Sequence, residues 1–305
     1  VPQESELVHF EGSLVPRERA LISALSPAIT QGPIAYETLR AYWNTDQQEL
    51  FVFRLHDHLR RLAASMRVLR FDDMPQSDAV ARYVLELIRA NDLKEDAHVR
   101  LHVYPRGPDG EARRTGMVIV AGARPGAPAI PAKCRIATWR RAGDDCGPAR
   151  VKAVGSRMFA LVALAEARAG GDDNILLLNE RGKIAEGAFS NIFIVRHGCV
   201  ATPPVTASIL EGITRASLIS LLREQLGITC AEREVDRTEL YDCEEAFLCS
   251  TGLEIVPVGS VDGIAVNGAR QGPLTARLTE LYGRAVRGTL SAHPEWCTPV
   301  YQATR

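Results

Sequence analysis

The sequence has seven cysteines, Cys134, Cys146, Cys199, Cys230, Cys243, Cys249 and Cys297, yet no CxxC pair among them. The count is odd and no histidine stands beside them at zinc-ligand spacing. Neither a disulfide framework nor a metal site is indicated, and reduced, mostly buried thiols in a cytoplasmic protein are expected. No apolar run reaches the roughly 18 residues that a membrane-spanning helix needs. The amino-terminal stretch is acidic and polar, with no secretory signal visible in it. Charge of one sign is not in excess, with 36 Lys and Arg against 37 Asp and Glu. No basic surface therefore points to nucleic acid, and no polybasic tail to a membrane. Internal repeats and low-complexity tracts are absent as well. What remains is an ordinary globular composition, 305 residues of which 46% are hydrophobic and 24% charged. That is enough for one large domain or two medium ones.

Periodicity predicts the elements. Residues 7–10 and 13–15 flank Glu11-Gly12 as a hairpin, and residues 36–43 and 49–53 read as strands. Leu59, Leu62, Ala63, Met66 and Leu69 place a helix over 56–69. Val80, Val84, Leu87 and Ile88 place another over 77–91. Strands follow at 97–104 and 115–121, separated by the turn-rich segment 106–110. This half is α+β. Residues 121–132 carry three prolines and two glycines, which sustain neither a helix nor a central strand. They read as a linker between a small domain, 1–120, and a larger one, 133–305. The second half is expected to contain strands at 134–139, 174–178, 191–195 and 246–250. Helices are expected at 156–169, at 214–226 with Gly227 as C-cap, and at 274–287.

Four segments carry candidate chemistry. Lys152 lies in Ala149-Arg-Val-Lys-Ala-Val-Gly155, between a strand and a helix. Alone it reads as one more solvated lysine, or as an amine desolvated by small and apolar flanks and so able to attack an aldehyde. Glu186 precedes Gly-Ala-Phe-Ser-Asn191 and an apolar strand. It is either a turn residue or a carboxylate set to pair with a pyridinium nitrogen. Gly212-Ile213-Thr214 opens a helix, as an ordinary N-cap or as an anion site. Thr251-Gly252 follows a strand into a tight turn, where N–H groups and hydroxyls can hold phosphate or carboxylate oxygens.

In their order and spacing these segments resemble the class-IV aminotransferases, most closely the branched-chain amino-acid aminotransferase branch. The likeness begins at His9-Phe-Glu-Gly-Ser-Leu-Val-Pro16. It continues through Gly32–Tyr42, Phe53–Leu62 and Thr138-Trp-Arg-Arg141, and ends near Gly272-Pro-Leu-Thr275 and Tyr282–Gly288. It implies a two-domain, fold-type-IV enzyme (D-amino acid aminotransferase-like) that uses pyridoxal 5'-phosphate, works on amino-acid and 2-oxo-acid substrates and forms a homodimer. It implies that Lys152 forms the Schiff base and shuttles the proton, and that Glu186 pairs with the ring nitrogen. Arg61, with Ile213, Thr214 and Thr251, would hold the phosphate, the arginine by its planar two-pronged fork. Tyr36, Arg40, His98, Arg100, Arg157, Thr251 and Gly252 would meet the substrate.

Two departures stand out. His98 occupies the place of a tyrosine in the usual Tyr-x-Arg, with Arg100 kept. Gly155-Ser156-Arg157 replaces Gly-Asn-Tyr. With Arg40, Arg100 and Arg157 the pocket becomes cationic, unless Arg157 turns outward or pairs with an acid. A polar or acidic substrate is therefore expected in place of a simple aliphatic one. The rivals are a 4-amino-4-deoxychorismate lyase, which eliminates pyruvate on the same apparatus, and a non-catalytic binding protein on the same scaffold.

Overall fold

The computed structural model describes residues 3–4, 6–106, 115–124, 126 and 130–302. The chain divides into two compact units. One comprises residues 1–127, 151–155 and 284–305, and the other 128–150 and 156–283.

The first unit contains β1 (Gln3–Glu4), β2 (Leu7–Phe10), β3 (Ser13–Pro16), α1 (Pro27–Thr30), β4 (Ala35–Asn44), β5 (Glu49–Phe53), α2 (Leu55–Val68), α3 (Ser77–Ala90), β6 (Ala97–Pro105) and β7 (Thr115–Ala123). A late strand, Cys297–Pro299, joins them. The sheet runs Cys297–Pro299, β5, β4, β6, β7, β2, β3, with antiparallel neighbours throughout and β1 added on β7. Side chains alternate across a strand, so β4 sends Ala35, Leu39 and Ala41 into the core beneath the helices. Helix α2 meets them with Leu55, Leu59, Leu62 and Met66, spaced to share one face. Helix α3 adds Val80, Val84, Leu87 and Ile88. Truncating a residue as buried as Leu59 to alanine costs roughly 2–5 kcal/mol.

The linear domain limits need correction at both ends. Strand β7 runs on to Ala123 and the next strand starts at Ala132, so the linker is shorter than 121–132. The carboxyl-terminal residues join the first sheet and do not stay with a domain 133–305. The reason is Glu49, fully buried, whose carboxylate accepts amide hydrogens from Val300 (3.1 Å), Tyr301 (2.8 Å) and Gln302 (2.7 Å). The turn expected at 106–110 lies, beyond Arg106, outside the described residues.

The second unit contains β8 (Ala132–Arg140), α4 (Met158–Ala169), β9 (Asn174–Leu178), β10 (Ile184–Gly187), β11 (Asn191–Arg196), β12 (Cys199–Thr202), α5 (Ile213–Leu226), β13 (Cys230–Glu232), β14 (Glu245–Ser250), β15 (Glu254–Val261), β16 (Ile264–Ala265) and, up to Gly283, α6 (Pro273–Val286). Its sheet order is β10, β9, β8, β15, β14, β11, β12, β13, with β16 on β15. Strand β8 is parallel to both its neighbours, and β12 is parallel to β13, so this sheet is mixed. Helix α5 ends where Gly227 takes φ of +66°, a left-handed cap that glycine adopts without penalty. The carboxylate of Glu245 on β14 accepts from the amides of Leu274 and Thr275 and from the Thr275 hydroxyl, which caps α6. Gly272 is needed for that cap, because a Cβ there would lie 2.0 Å from the Glu245 carboxyl carbon.

Two expectations are revised. The residues ahead of α4, Gly155–Arg157, form a 3-10 turn, so the α-helix starts at Met158 and not at 156. Between the strands expected at 174–178 and 191–195 lies one more, β10, which pairs with β9, has no clear alternating signal in the sequence and carries Glu186. The cysteines are all free, but only Cys134 and Cys249 are fully buried, while Cys146 and Cys199 are exposed.

Candidate active site

In the first unit the site is organised by β4. Strand β5 pairs only with Ala41–Asn44, so the first half of β4 lacks a neighbour on that side. Residues 151–155 fill the place. The Tyr36 amide donates to the Lys152 carbonyl (3.0 Å) and the Val154 amide to the Ile34 carbonyl (2.9 Å). The Lys152 amide donates to Ser65 Oγ on α2 (3.1 Å). These bonds are why the lysine belongs to the first unit, although the sequence places it beyond the linker. Its Nζ stands 4.7 Å from the centre of the Tyr36 ring.

Glu37, the next residue on β4, points the opposite way into the apolar face beneath α2. A buried charge is tolerated there only if it is paired and fully hydrogen-bonded. Both prongs of Arg61 meet it, Nε to Oε1 at 2.7 Å and Nη2 to Oε2 at 2.9 Å. His58 Nδ1 lies 2.8 Å from Oε2. Burial alone would raise the pKa of Glu37, but Arg61 and then His58 together outweigh it and hold the carboxyl well below the ordinary range. Burial, with Arg61 and Lys152 nearby, pushes His58 below its ordinary 6.5 against the pull of Glu37. The imidazole is therefore neutral and its Nδ1–H is the donor, since an ionised carboxylate only accepts.

The other face of the sheet gathers several residues expected to meet substrate. Register pairs Arg40 with His98, Thr38 with Arg100 and Tyr36 with His102, and paired residues share a face. Tyr36 stacks on His102, a residue the sequence reading left out. Arg40 is buried, donates to the Arg124 carbonyl at 2.9 Å and lies over Tyr42. Burial first, then Arg124 and Arg40, lowers the pKa of His98.

In the second unit Glu186 is 7% exposed and held on three sides. Arg141 Nε is 2.9 Å from Oε1, and Oε2 accepts from the Leu210 amide (3.1 Å) and Asn191 Nδ2 (3.3 Å). Arg141 came through the sequence only as part of a matching segment, without a role. Asn191 also donates to the Leu210 carbonyl at 3.0 Å, which draws the chain before α5 against β11. Gly212 is the N-cap and offers no side chain to the first turn. Any Cβ there would lie 1.9 Å from Asn191 Oδ1. The start of a 14-residue helix, with the Ile213 and Thr214 amides in its first turn and no acid among them, thus stands beside Asn191. Asn191 pairs with Cys249, and β14 ends one residue later at Ser250, which delivers Thr251 and Gly252 to the turn beyond. Arg157 lies over the Phe189 ring at 4.4 Å, so its cation is spread on an aromatic face.

A family profile described as amino-transferase class IV matches residues 35–261. The chain belongs to that family. It is 32% identical over 303 residues to a probable branched-chain-amino-acid aminotransferase of Aquifex aeolicus, with 97% of each chain covered. The branched-chain amino acid aminotransferase of Thermobaculum terrenum, solved in its PLP form, superposes with a TM-score of 0.93 at 34% identity, over 98% of this chain and 99% of that one. A third branched-chain enzyme, whose source is given as T.th., has been solved with N-(5'-phosphopyridoxyl)-L-glutamate and with 4-methylvaleric acid. Both structures give TM-scores of 0.91 at 28% identity, over 97% of this chain and 99% of that one. The chain is thus a pyridoxal-phosphate-dependent transaminase of fold type IV.

The donors of each unit fit that cofactor. The first unit offers a lysine amine and an arginine guanidinium, and the second a helix start left without a side-chain cap and a buried carboxylate kept beside a cation. Among the described residues no cluster of His, Cys, Asp and Glu could hold a metal ion, and no helix is long and apolar enough to cross a membrane.

Proposed function

We propose that this transaminase exchanges the amino group of a branched-chain amino acid with a 2-oxo acid, glutamate and its oxo acid serving as the other pair. The near full-length likeness to branched-chain enzymes supports the aliphatic substrate. The glutamate adduct and the 4-methylvaleric acid complex of the T.th. enzyme support one site accepting both side-chain types. The expectation of a polar or acidic substrate in place of an aliphatic one finds no support in these likenesses. Nor does any observation favour the lyase or the binding protein.

Bound pyridoxal phosphate supplies the electron sink for the charge left at the substrate's Cα. Lys152 Nζ would take the Cα proton and later return one. Arg61, Ile213, Thr214 and Thr251 would hold the phosphate, and Glu186, with Arg141 at 2.9 Å, would accept from the ring N–H. Arg100 and Arg40, on one face of the first sheet, and the Thr251–Gly252 amides would receive the substrate carboxylate. Tyr36 and His98 would meet the substrate side chain, as would Arg157, which lies over Phe189. The observation that carries this reading is the placement of Lys152, whose amide is held by Ser65 one helical turn from Arg61.

A homodimer is part of the proposal. Helix α4 leaves Met158, Phe159, Leu161 and Val162 exposed, an apolar patch larger than the scatter of single residues on a monomer's surface. The free cysteines support a cytoplasmic setting. The test is to add single amino acids to the coloured protein and follow loss of its visible band. Valine, leucine, isoleucine and glutamate should bleach it, and borohydride should fix the colour-bearing group on Lys152. Bleaching by polar donors but not by aliphatic ones would refute the substrate assignment.

A further inference from the structure

We infer that Glu37 is a positioning residue for the cofactor phosphate, acting through Arg61. The inference rests on the proposed role of Arg61 and adds a residue that touches neither cofactor nor substrate.

An arginine side chain has four rotatable bonds, and a phosphate grip is only as good as the direction of its fork. Here the direction is imposed from one side. Nε and Nη2 both bind Glu37, which fixes the guanidinium plane. Glu37 has no freedom of its own, being fully buried on a strand, paired with Leu101 of β6 and bound at Oε2 by His58. His58 is itself 1% exposed and sits three residues before Arg61 on α2.

The same two elements also fix Lys152. Tyr36, adjacent to Glu37 on β4, donates its amide to the Lys152 carbonyl, while Ser65, four residues after Arg61 on α2, accepts the Lys152 amide. One dipeptide of β4 and one turn of α2 therefore set both the amine and the fork. A rigid ligand with an aldehyde at one end and a phosphate at the other needs that separation held constant. Within this clamp it is the Glu37 side chain that fixes the phosphate-seeking group.

A purely structural carboxylate would affect every ligand alike. A positioning carboxylate affects only ligands that carry the phosphate. The test compares binding of pyridoxal 5'-phosphate and of pyridoxal to cofactor-free protein, read by quenching of tryptophan fluorescence and by the visible band, with no turnover involved. Wild type should bind the phosphate ester far more tightly. Glu37→Gln should weaken it by about tenfold to a hundredfold, the range for one misdirected hydrogen bond to a charged group. Its affinity for pyridoxal should stay within about twofold. In an Arg61→Ala background Glu37→Gln should have almost no further effect, because the two act as a unit. Should Glu37→Gln not fold, Glu37→Asp keeps the charge while withdrawing it by one methylene, and should weaken the phosphate ester alone. Equal weakening of both ligands, or an unchanged affinity for the phosphate ester in a folded variant, overturns the inference. Wild type that fails to prefer the phosphate ester, or an Arg61→Ala protein that keeps the preference, overturns the phosphate role of Arg61 itself.

Discussion

Acid should destabilise this protein from just below neutrality, because three histidines are buried without room for a proton's charge. His9, His58 and His98 are each 1% exposed. Burial lowers the pKa of all three below 6.5. Glu86 partly offsets this at His9, Glu37 offsets it at His58, and Arg124 and Arg40 add to it at His98. A folded group with a lowered pKa stays neutral while the unfolded chain takes up a proton. Stability is therefore complete above the unfolded pKa of 6.5 and falls as pH drops below it, until the folded pKa is reached. Between about pH 7.5 and 5.5, each histidine that stays neutral removes about 1.4 kcal/mol, and three together at most about 4 kcal/mol. That is a large share of the roughly 5–15 kcal/mol typical of a folded domain. Urea unfolding followed at half-unit steps of pH measures it, and His9→Gln or His98→Gln should each flatten the profile by up to about a third. Stability that is flat or rising from pH 7.5 to 5.5 would refute the reasoning. Below about pH 4.5 a second loss should follow, because Glu37 of the unfolded chain takes up a proton there while the folded one, beside Arg61 and His58, stays ionised.

Two further outcomes are expected. Glu49→Ala leaves the amides of Tyr301 and Gln302 without their acceptor, while that of Val300 keeps the Leu50 carbonyl at 2.9 Å, and should cost about 2–4 kcal/mol, with limited proteolysis then trimming the carboxyl-terminal tail first. Arg141→Met keeps the volume but strips the Glu186 carboxylate of its cation. The turnover rate should fall about tenfold or more, while borohydride labelling of Lys152 persists; loss of labelling instead would make Arg141 a folding residue.

Local pattern alone specified much of this molecule. The spacing of Leu59, Leu62 and Met66 gave α2, Gly227 gave the end of α5, and the order of Lys152, Glu186, Gly212–Thr214 and Thr251 gave the family. The first two are short-range properties, read from neighbours three or four residues apart or from one residue's own backbone freedom, and the last is a resemblance in the order of several motifs. Three features needed the fold. Strand β10 has no alternation of its own and exists because β9 pairs with it, so Glu186 could not be placed on a strand in advance. Glu37 looks like any polar residue in a β-strand until α2 brings His58 and Arg61 against it. The tail at 297–302 is assigned to the first sheet by Glu49, some 250 residues away. Pairings across such distances leave no periodic trace in a single chain. Their free energy comes from burying charge and backbone together, and only the tertiary structure decides which groups meet.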